Sequence, residues 1–315
     1  MLWDCAASSW ETKLGAKVVV VGIVAVNFAE LYRRLFRPLL LLIVLAACEP
    51  ANEVPTVLRI GVLPDQSRAA LERRYTPLFD YLSNKLDIKY ELVIPRSYGH
   101  LLALFHEKKV ELAYFGGLTF IKARHADGAV PIVMRDVDAR FSSYLLVRTN
   151  DTAKSVQDLR QRVLTFGPKL STSGHLMPRH YLMDMGILPE THFAEVWHSN
   201  AHDETARLVR DGVVDAGAIN GLIAEAMFAD GRLRRDEVRV LWNTPPYPDY
   251  VWAMRKEIAQ PLRAAVQDAF LALSIQDAEH ADVLVGIGAG RFLPVPLPEF
   301  ERLERIADKL GLIEG

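Results

Sequence analysis

The sequence lacks most of the features that would assign it to a specialised class of protein. It contains only two cysteines, Cys5 and Cys48, and both precede the bulk of the chain. The folded body is therefore predicted to hold no disulfide and no cysteine-based metal site. The formal net charge of −2 argues against nucleic-acid binding, because phosphate contacts need clustered Lys and Arg. No internal repeat or low-complexity tract is visible.

The rest of the composition is that of an ordinary globular protein. The chain has 315 residues, of which 50% are hydrophobic and 24% are charged. This balance excludes a disordered chain, collagen and a disulfide-stapled miniprotein. The length is sufficient for two domains of normal size.

The N-terminal segment, residues 1–48, is predicted to be a targeting signal. Arg33, Arg34 and Arg37 precede the apolar run Pro38–Ala47, which is too short for a bilayer span of roughly 20 residues. A basic flank before a short apolar core is typical of a secretory signal. The run ends in the sequence Leu-Ala-Ala-Cys at Cys48, which resembles a bacterial lipobox with Cys48 as the lipidated residue. The alternative is a buried apolar helix that ends in cysteine.

Two neighbouring stretches complete this interpretation. Residues 49–56 are predicted to be a flexible tether between the lipid anchor and the body. Residues 1–30 make an unusually long leader, and Lys17–Phe28 is a second apolar stretch. We interpret this as a start codon placed too early, with a second hydrophobic anchor as the alternative.

From Val57 onward, short β-rich runs alternate with amphipathic helical spacing. This order predicts an α/β fold of two lobes, each a mostly parallel sheet flanked by helices, with a cleft between them. The predicted lobes are 57–145 plus 246–315 and 146–245. The predicted crossings between them are Ser143–Thr149 and Val240–Pro246.

The most informative segment is Ser171-Thr172-Ser173-Gly174, which lies between a predicted strand and a helix. Three hydroxyls at a helix N-terminus, where the first N–H groups have no internal partner, favour an anion site. Gly174 allows close approach of the backbone. The alternative is a simple N-cap, for which one hydroxyl is sufficient.

Four further residues are candidates for the same cleft. His202 opens the next predicted helix of the second lobe, and Asp249 lies in a proline-stiffened return crossing. Tyr98 opens a helix of the first lobe, and Phe115 ends a strand before two glycines. Ligands of open α/β sheets lie outside the carboxyl ends of the strands. The alternatives are an exposed helix start, a rigid turn and core packing.

Catalytic and metal-binding patterns are weak. There is no Gly-x-Ser-x-Gly or His-Glu-x-x-His sequence. The histidine pairs His175 with His180 and His198 with His202 lack a third ligand at familiar spacing, so no metal or other cofactor is predicted. Hydrolysis of phosphate esters is an alternative that depends on one candidate pair, Ser173 with His202. The prediction is a binding protein rather than an enzyme.

Taken together and in order, these segments resemble one family, the phosphate, phosphite and phosphonate-binding proteins of ABC transporters. The resemblance covers roughly residues 57–300. The matching segments are Arg59-Ile60-Gly61-Val62, Glu111-Leu112-Ala113-Tyr114-Phe115-Gly116, Ser171-Thr172-Ser173-Gly174, His202-Asp203, Val214-Asp215-Ala216-Gly217-Ala218 and Pro248-Asp249.

The resemblance implies a type II periplasmic-binding-protein fold that captures a small phosphorus oxyanion in the cleft. It also implies an ABC permease and ATPase as partners, and a location in the periplasm or at the cell surface. Membrane contact would be through the lipid on Cys48 alone. The resemblance further assigns the oxyanion contacts, by position, to Ser171, Thr172, Ser173, Tyr98, His202 and Asp249.

Two departures from the family pattern bear on the ligand. Phe115 stands where a tyrosine is common, so one hydroxyl donor is missing. Leu222 stands where binders of aminoalkylphosphonates have a glutamate, which favours an amine-free ligand such as phosphite or methylphosphonate. Asp249 accepts a hydrogen bond only from a protonated P–OH, which disfavours sulfate. A binding protein or sensory lipoprotein for another oxyanion, such as phosphate, is the alternative.

Overall fold

The computed structural model describes residues 54–313. The predicted signal segment, Cys48 and most of the predicted tether lie outside the described residues. The strands are β1 (Val57–Val62), β2 (Lys89–Val93), β3 (Leu112–Phe115), β4 (Val130–Arg135), β5 (Ser143–Arg148), β6 (Val163–Phe166), β7 (Glu195–His198), β8 (Ala216–Asn220), β9 (Val238–Asn243), β10 (Val251–Met254) and β11 (Phe292–Leu293).

Helices flank these strands. They are α1 (Arg68–Leu86), α2 (Tyr98–His106), α3 (Gly117–Asp127), α4 (Met177–Asp184), α5 (Pro189–His192), α6 (His202–Arg210), α7 (Gly221–Ala229), α8 (Gln260–Leu271), α9 (Ala278–Ile287) and α10 (Leu297–Lys309). Asp136–Arg140 and Val156–Leu159 form short 3₁₀ turns, and Thr172–Leu176 forms a π-helical turn. None of the helices in this part of the chain combines the length and apolar character that crossing a bilayer requires.

The strands form two sheets. One sheet has the order β11-β4-β10-β3-β1-β2, and the other has the order β7-β6-β8-β5-β9. Strand β1 is parallel to β2 and β3, and β6 is parallel to β7 and β8. The exceptions are β10, which is antiparallel to β3 and β4, β11, which is antiparallel to β4, and β5, which is antiparallel to β8 and β9. The predicted α/β class with two sheets is confirmed. Within residues 54–313 the sheets are mixed rather than mostly parallel, with four parallel strand pairs and five antiparallel ones.

The five-stranded sheet is covered on both faces. Leu145 and Val147 of β5 belong to one apolar cluster, together with Phe166. Leu146, which lies between them, belongs to a different cluster with Ile219. Because successive side chains of a strand point to opposite faces, this division places one cluster on each face.

The crossings differ from those expected. Most of Ser143–Thr149 and part of Val240–Pro246 are strands β5 and β9, because both runs are apolar enough to pair within the five-stranded sheet. The connecting segments therefore lie before Ser143 and after β9. There Phe141 and Tyr247 form an antiparallel bridge, with the Phe141 N–H donating to the Tyr247 carbonyl at 2.8 Å. The two connections thus run side by side, as a hinge requires.

Candidate functional site

The Ser-Thr-Ser segment forms a tight turn between β6 and α4. Its backbone is a π-helical turn in which the Leu176 N–H donates to the Ser171 carbonyl at 3.0 Å. The Ser171 hydroxyl accepts from the Gly174 N–H at 2.9 Å and so caps the turn. Ser171, Thr172 and Ser173 are all buried. Ser171 thus acts as an N-cap, as the alternative expected, whereas Ser173 Oγ has no hydrogen-bond partner.

Two glycines allow this turn to fold back on the end of β6. The Gly167 N–H donates to the Gly174 carbonyl at 2.7 Å. A Cβ on Gly174 would lie 2.8 Å from His202 Cε1 and 2.9 Å from Gly167 Cα, closer than side chains pack. Gly174 is therefore needed for space around the imidazole.

His202 is a neutral hydrogen-bond donor. It lies at the start of α6 and is completely buried. The Asn220 N–H donates to His202 Nδ1 at 3.2 Å, which leaves the proton on Nε2, 3.3 Å from Ser171 Oγ. Burial lowers the pKa of His202 to about 3, so the ring carries no charge near neutral pH.

Tyr98 supplies a second donor, from the six-stranded-sheet side. It is the first residue of α2, whose N-terminus is capped by Ser97 through the His100 N–H at 3.1 Å. Tyr98 is buried, and its hydroxyl has no hydrogen-bond partner. Burial, with the nearby charges of Asp65 and Asp249, raises the pKa of Tyr98 well above its usual range. The hydroxyl therefore keeps its proton.

Asp249 is the acceptor of the cluster. Its Oδ1 accepts from the Gly117 N–H at the start of α3 at 2.9 Å, while its Oδ2 has no partner. Burial raises the pKa of Asp249 to about 7, against the lowering effect of the Gly117 N–H and of the Thr172 and Ser173 hydroxyls. These interactions place Asp249 beside the Ser-Thr-Ser segment.

Thr172 bridges the two halves of the site. Its Oγ1 accepts from the Leu118 N–H of α3 at 2.9 Å. Together with Asp249, it satisfies the first two amides of α3, those of Gly117 and Leu118.

Phe115 is the one predicted site residue that the structure does not bring to the cluster. It is completely buried, and its ring packs edge-on against Phe105 at 5.2 Å between centroids. Alternation along β3 points the preceding residue, Tyr114, to a different neighbourhood, where its hydroxyl donates to Asp138 at 3.0 Å. The core-packing alternative describes Phe115 correctly.

Asp65 belongs to the site but was not predicted from the sequence. This residue follows β1, and its backbone carbonyl accepts from the His202 N–H at 3.0 Å. Its Oδ2 accepts from the Tyr250 hydroxyl at 3.0 Å, and that hydroxyl accepts from Asn220 Nδ2 at 3.1 Å. Its Oδ1 has no partner. Asp65 lies three residues after the end of β1, at the sheet edge where ligands of α/β folds bind. This position in the sequence could have identified it as a candidate site residue.

The structure does not support the alternative hydrolytic pair. His202 Nε2 lies 3.3 Å from Ser171 Oγ, and no hydrogen bond joins it to Ser173. Within residues 54–313, no cluster of three or more His, Cys, Asp or Glu is arranged to hold a metal ion.

Comparisons with known proteins agree with this geometry. The family described as the periplasmic phosphonate substrate-binding protein of ABC transporters matches residues 60–297. The probable ABC transporter phosphite binding protein PhnD1 of Prochlorococcus marinus strain MIT 9301 is 30% identical over 277 residues, covering 84% of this chain and 93% of that protein. The phosphonates-binding periplasmic protein of Escherichia coli K12 is 24% identical over 280 residues, covering 84% and 82%.

Two solved structures have the same fold. PhnD1 of P. marinus in complex with methylphosphonate superimposes with a TM-score of 0.78 at 30% identity, covering 82% of this chain and all of that one. The binding-protein component of a phosphonate ABC transporter from Pseudomonas aeruginosa gives a TM-score of 0.72 at 17% identity, covering 83% and 97%. The predicted periplasmic-binding-protein fold is therefore confirmed.

Proposed function

This chain belongs to the family of periplasmic substrate-binding proteins of phosphonate ABC transporters, and from that premise we propose that it captures phosphite, methylphosphonate or a related small phosphonate for import. The family consists of binding proteins, not enzymes. One observation carries the choice of ligand: buried donors without partners and a buried acceptor without a partner come together in the cleft. The donors are Tyr98 OH and Ser173 Oγ, and the acceptor is Asp249 Oδ2.

This combination suits an oxyanion that still carries a proton. The anionic oxygens accept from Tyr98, from the hydroxyl side chains of the Ser-Thr-Ser segment and from His202 Nε2–H. The P–OH group donates to Asp249 Oδ2. A buried polar atom without a partner costs free energy, so a ligand that satisfies these atoms together is strongly favoured.

The number of donors is sufficient for micromolar binding. A hydrogen bond to a charged group contributes about 1.5–3 kcal/mol. Three or four such bonds contribute about 5–12 kcal/mol before the cost of association of at least about 4 kcal/mol is subtracted, so the upper end reaches micromolar binding, about −8 kcal/mol.

The substituent on phosphorus is proposed to carry no amine. Leu222, at the family's amine-binding position, is 39% exposed and offers no charge. P. marinus PhnD1, the relative at 30% identity, was solved in complex with methylphosphonate, which has no amine. Leu222→Glu is expected to improve binding of 2-aminoethylphosphonate at least tenfold and to leave methylphosphonate nearly unchanged.

Calorimetric titration of the purified protein tests the proposal. The panel is phosphite, methylphosphonate, 2-aminoethylphosphonate, phosphate and sulfate. We expect tight binding of phosphite or methylphosphonate and weak binding of the other three. Tight binding of 2-aminoethylphosphonate would contradict the argument from Leu222, and the absence of heat with every ligand would contradict the oxyanion site itself.

We also propose that Cys48 anchors the protein to the membrane through a lipid, as in the predicted lipobox. Cys48→Ala is expected to release the protein into the soluble periplasmic fraction and to abolish labelling with radioactive palmitate. Cys5→Ala is the matched control, because this second cysteine lies outside the lipobox. Persistent labelling of the Cys48→Ala protein would refute the assignment. The partners are proposed to be an ABC permease and its ATPase.

A further inference from the structure

A small cavity adjoins the missed residue Asp65. Its volume is about 130 Å³. It lies between α1 and the residue that precedes β10 on one side and the start of α7 on the other. The residues that matter for its chemistry are Asp65, Arg74, Tyr75, Asn220, Leu222 and Tyr250.

The cavity adjoins the oxyanion site through shared residues. Asn220 lines the cavity, and its N–H fixes the His202 tautomer. Tyr250 also lines the cavity, and its hydroxyl joins Asp65 to Asn220. The charge of Asp65 acts in turn on the Tyr98 hydroxyl. The residues that line this space thus contact or act on His202 and Tyr98, which hold the phosphorus oxyanion in the proposed function.

Asp65 supplies a hydrogen-bond acceptor to the cavity. It is 4% exposed, and Oδ1 has no partner, whereas Oδ2 is bound by Tyr250. Such a buried, unpartnered carboxylate oxygen needs a donor that the described residues do not provide.

Arg74 supplies donors to the same cavity. It is half-buried on α1, and within the described part of the chain no hydrogen bond or ion pair holds its guanidinium. Its charge acts on Asp65, as does that of Arg135, but Arg135 is already held by Asp138 through bonds of 2.7 Å. Arg74 is therefore available to a ligand.

We propose that this cavity is a subsite for a hydroxyl-bearing substituent on the phosphonate, with Asp65 Oδ1 accepting from the hydroxyl and Arg74 donating to it. The inference rests on the proposed function of the oxyanion site. A hydroxyl is the smallest group that both donates and accepts, so it satisfies both side chains without adding charge. The class of ligand is a short hydroxyalkylphosphonate.

Charged substituents match only one of the two side chains. An ammonium would donate to Asp65 but would lie beside the Arg74 guanidinium. A carboxylate would accept from Arg74 but would face Asp65. Like charges at such a partly buried site are poorly screened. The size also fits, because two methylene groups and a hydroxyl need about 30 Å³ each by comparison with water.

The test is a calorimetric series on the full protein. The ligands are methylphosphonate as reference, then ethylphosphonate, 2-hydroxyethylphosphonate, 2-aminoethylphosphonate and phosphonoacetate. We expect 2-hydroxyethylphosphonate to bind about tenfold more tightly than ethylphosphonate, and to be the tightest of the four larger ligands.

Two variants are expected to change the preference for the charge of the substituent, one towards a carboxylate and the other towards an ammonium group. Asp65→Asn keeps an acceptor for Tyr250 and replaces the free oxygen by an N–H donor, so phosphonoacetate is expected to gain at least tenfold relative to methylphosphonate. Arg74→Gln removes the cation, so 2-aminoethylphosphonate is expected to gain by a similar factor. Asp282→Asn and Arg73→Gln are the matched controls, since both residues are exposed helical positions outside the cavity.

Three outcomes decide against the subsite. Equal affinities for ethylphosphonate and 2-hydroxyethylphosphonate would exclude the hydroxyl contact. An order of ligand affinities that is the same in both variants as in the original protein would exclude the roles of Asp65 and Arg74. If Asp65→Asn does not fold, the result for Arg74→Gln alone decides. All four larger ligands binding over a hundredfold more weakly than methylphosphonate would show that the cavity is closed to them. Loss of phosphite and methylphosphonate binding would instead refute the proposed function.

Discussion

Replacing Asp249 by asparagine should remove a pH dependence from the stability of the ligand-free protein. The folded protein holds the Asp249 proton up to pH about 7, whereas an unfolded chain releases it near 3.8. Between these values the folded state binds more protons, so stability falls as the pH rises. A difference of about three pH units, at about 1.4 kcal/mol each, corresponds to about 4 kcal/mol.

Urea unfolding followed by tryptophan fluorescence at several pH values between 4 and 8 measures this effect. Asp249→Asn keeps an oxygen for the Gly117 N–H, so its stability relative to the original protein is expected to increase steadily with pH. Asp65 also has a raised pKa, so it too makes the stability fall as the pH rises, but it is present in both proteins. Comparing the two slopes therefore isolates Asp249.

The exposed Asp282→Asn variant is the control for loss of one negative charge. Its slope should match that of the original protein. If Asp249→Asn shows the same slope as well, Asp249 ionises at an ordinary pKa, and the argument from its burial is wrong.

Three further results are expected. Ser173→Ala should weaken methylphosphonate binding about tenfold or more in calorimetry, with little effect on stability, since the Ser173 hydroxyl has no protein partner. The control Ser67→Ala, at a helix start without a side-chain cap bond, should change neither binding nor stability. Gly174→Ala should destabilise the protein by about 1–3 kcal/mol in urea unfolding, through overlap with the imidazole, while Gly286→Ala meets only one atom at 4.0 Å and should not. The nitrogen NMR shifts of His202 should show the Nε2–H tautomer at every pH from 5 to 8, and a titration near the ordinary value of 6.5 would contradict its burial.

Much of the fold was predictable because it follows from local periodicity. Helix α1 follows from the sequence, since its apolar residues recur at helical spacing and Asp87 ends it in a left-handed conformation. Pro77 lies exposed within this continuous helix, so the proline does not end it. Strand β11 was missed because its two residues carry no pattern of their own and pair only with β4.

The chemistry of the site was less predictable, because it depends on contacts between distant residues. The hydroxyls of the Ser-Thr-Ser segment were recognisable as a cluster, but the π-helical turn depends on Gly167 meeting Gly174. The tautomer of His202 depends on the Asn220 N–H, which lies 18 residues further along the chain. The local sequence indicates only that Asp65 lies in a turn, and the tertiary fold is what brings it to the site.

One proton between Asp249 and the ligand also determines whether the site binds a fully ionised anion such as sulfate. With His202 neutral and no Lys or Arg among the proposed oxyanion contacts, Asp249 is the one ionisable carboxyl group proposed to contact the oxyanion. The ligand and Asp249 need one proton between them, and either partner can supply it. Above pH 7 only a protonated phosphorus oxyanion brings it, so sulfate should be rejected. Below pH 6 Asp249 holds the proton itself, so sulfate binding should strengthen as the pH falls, and in calorimetry Asp249→Asn should bind sulfate equally at both pH values. Sulfate binding that ignores pH in the original protein would contradict this reasoning.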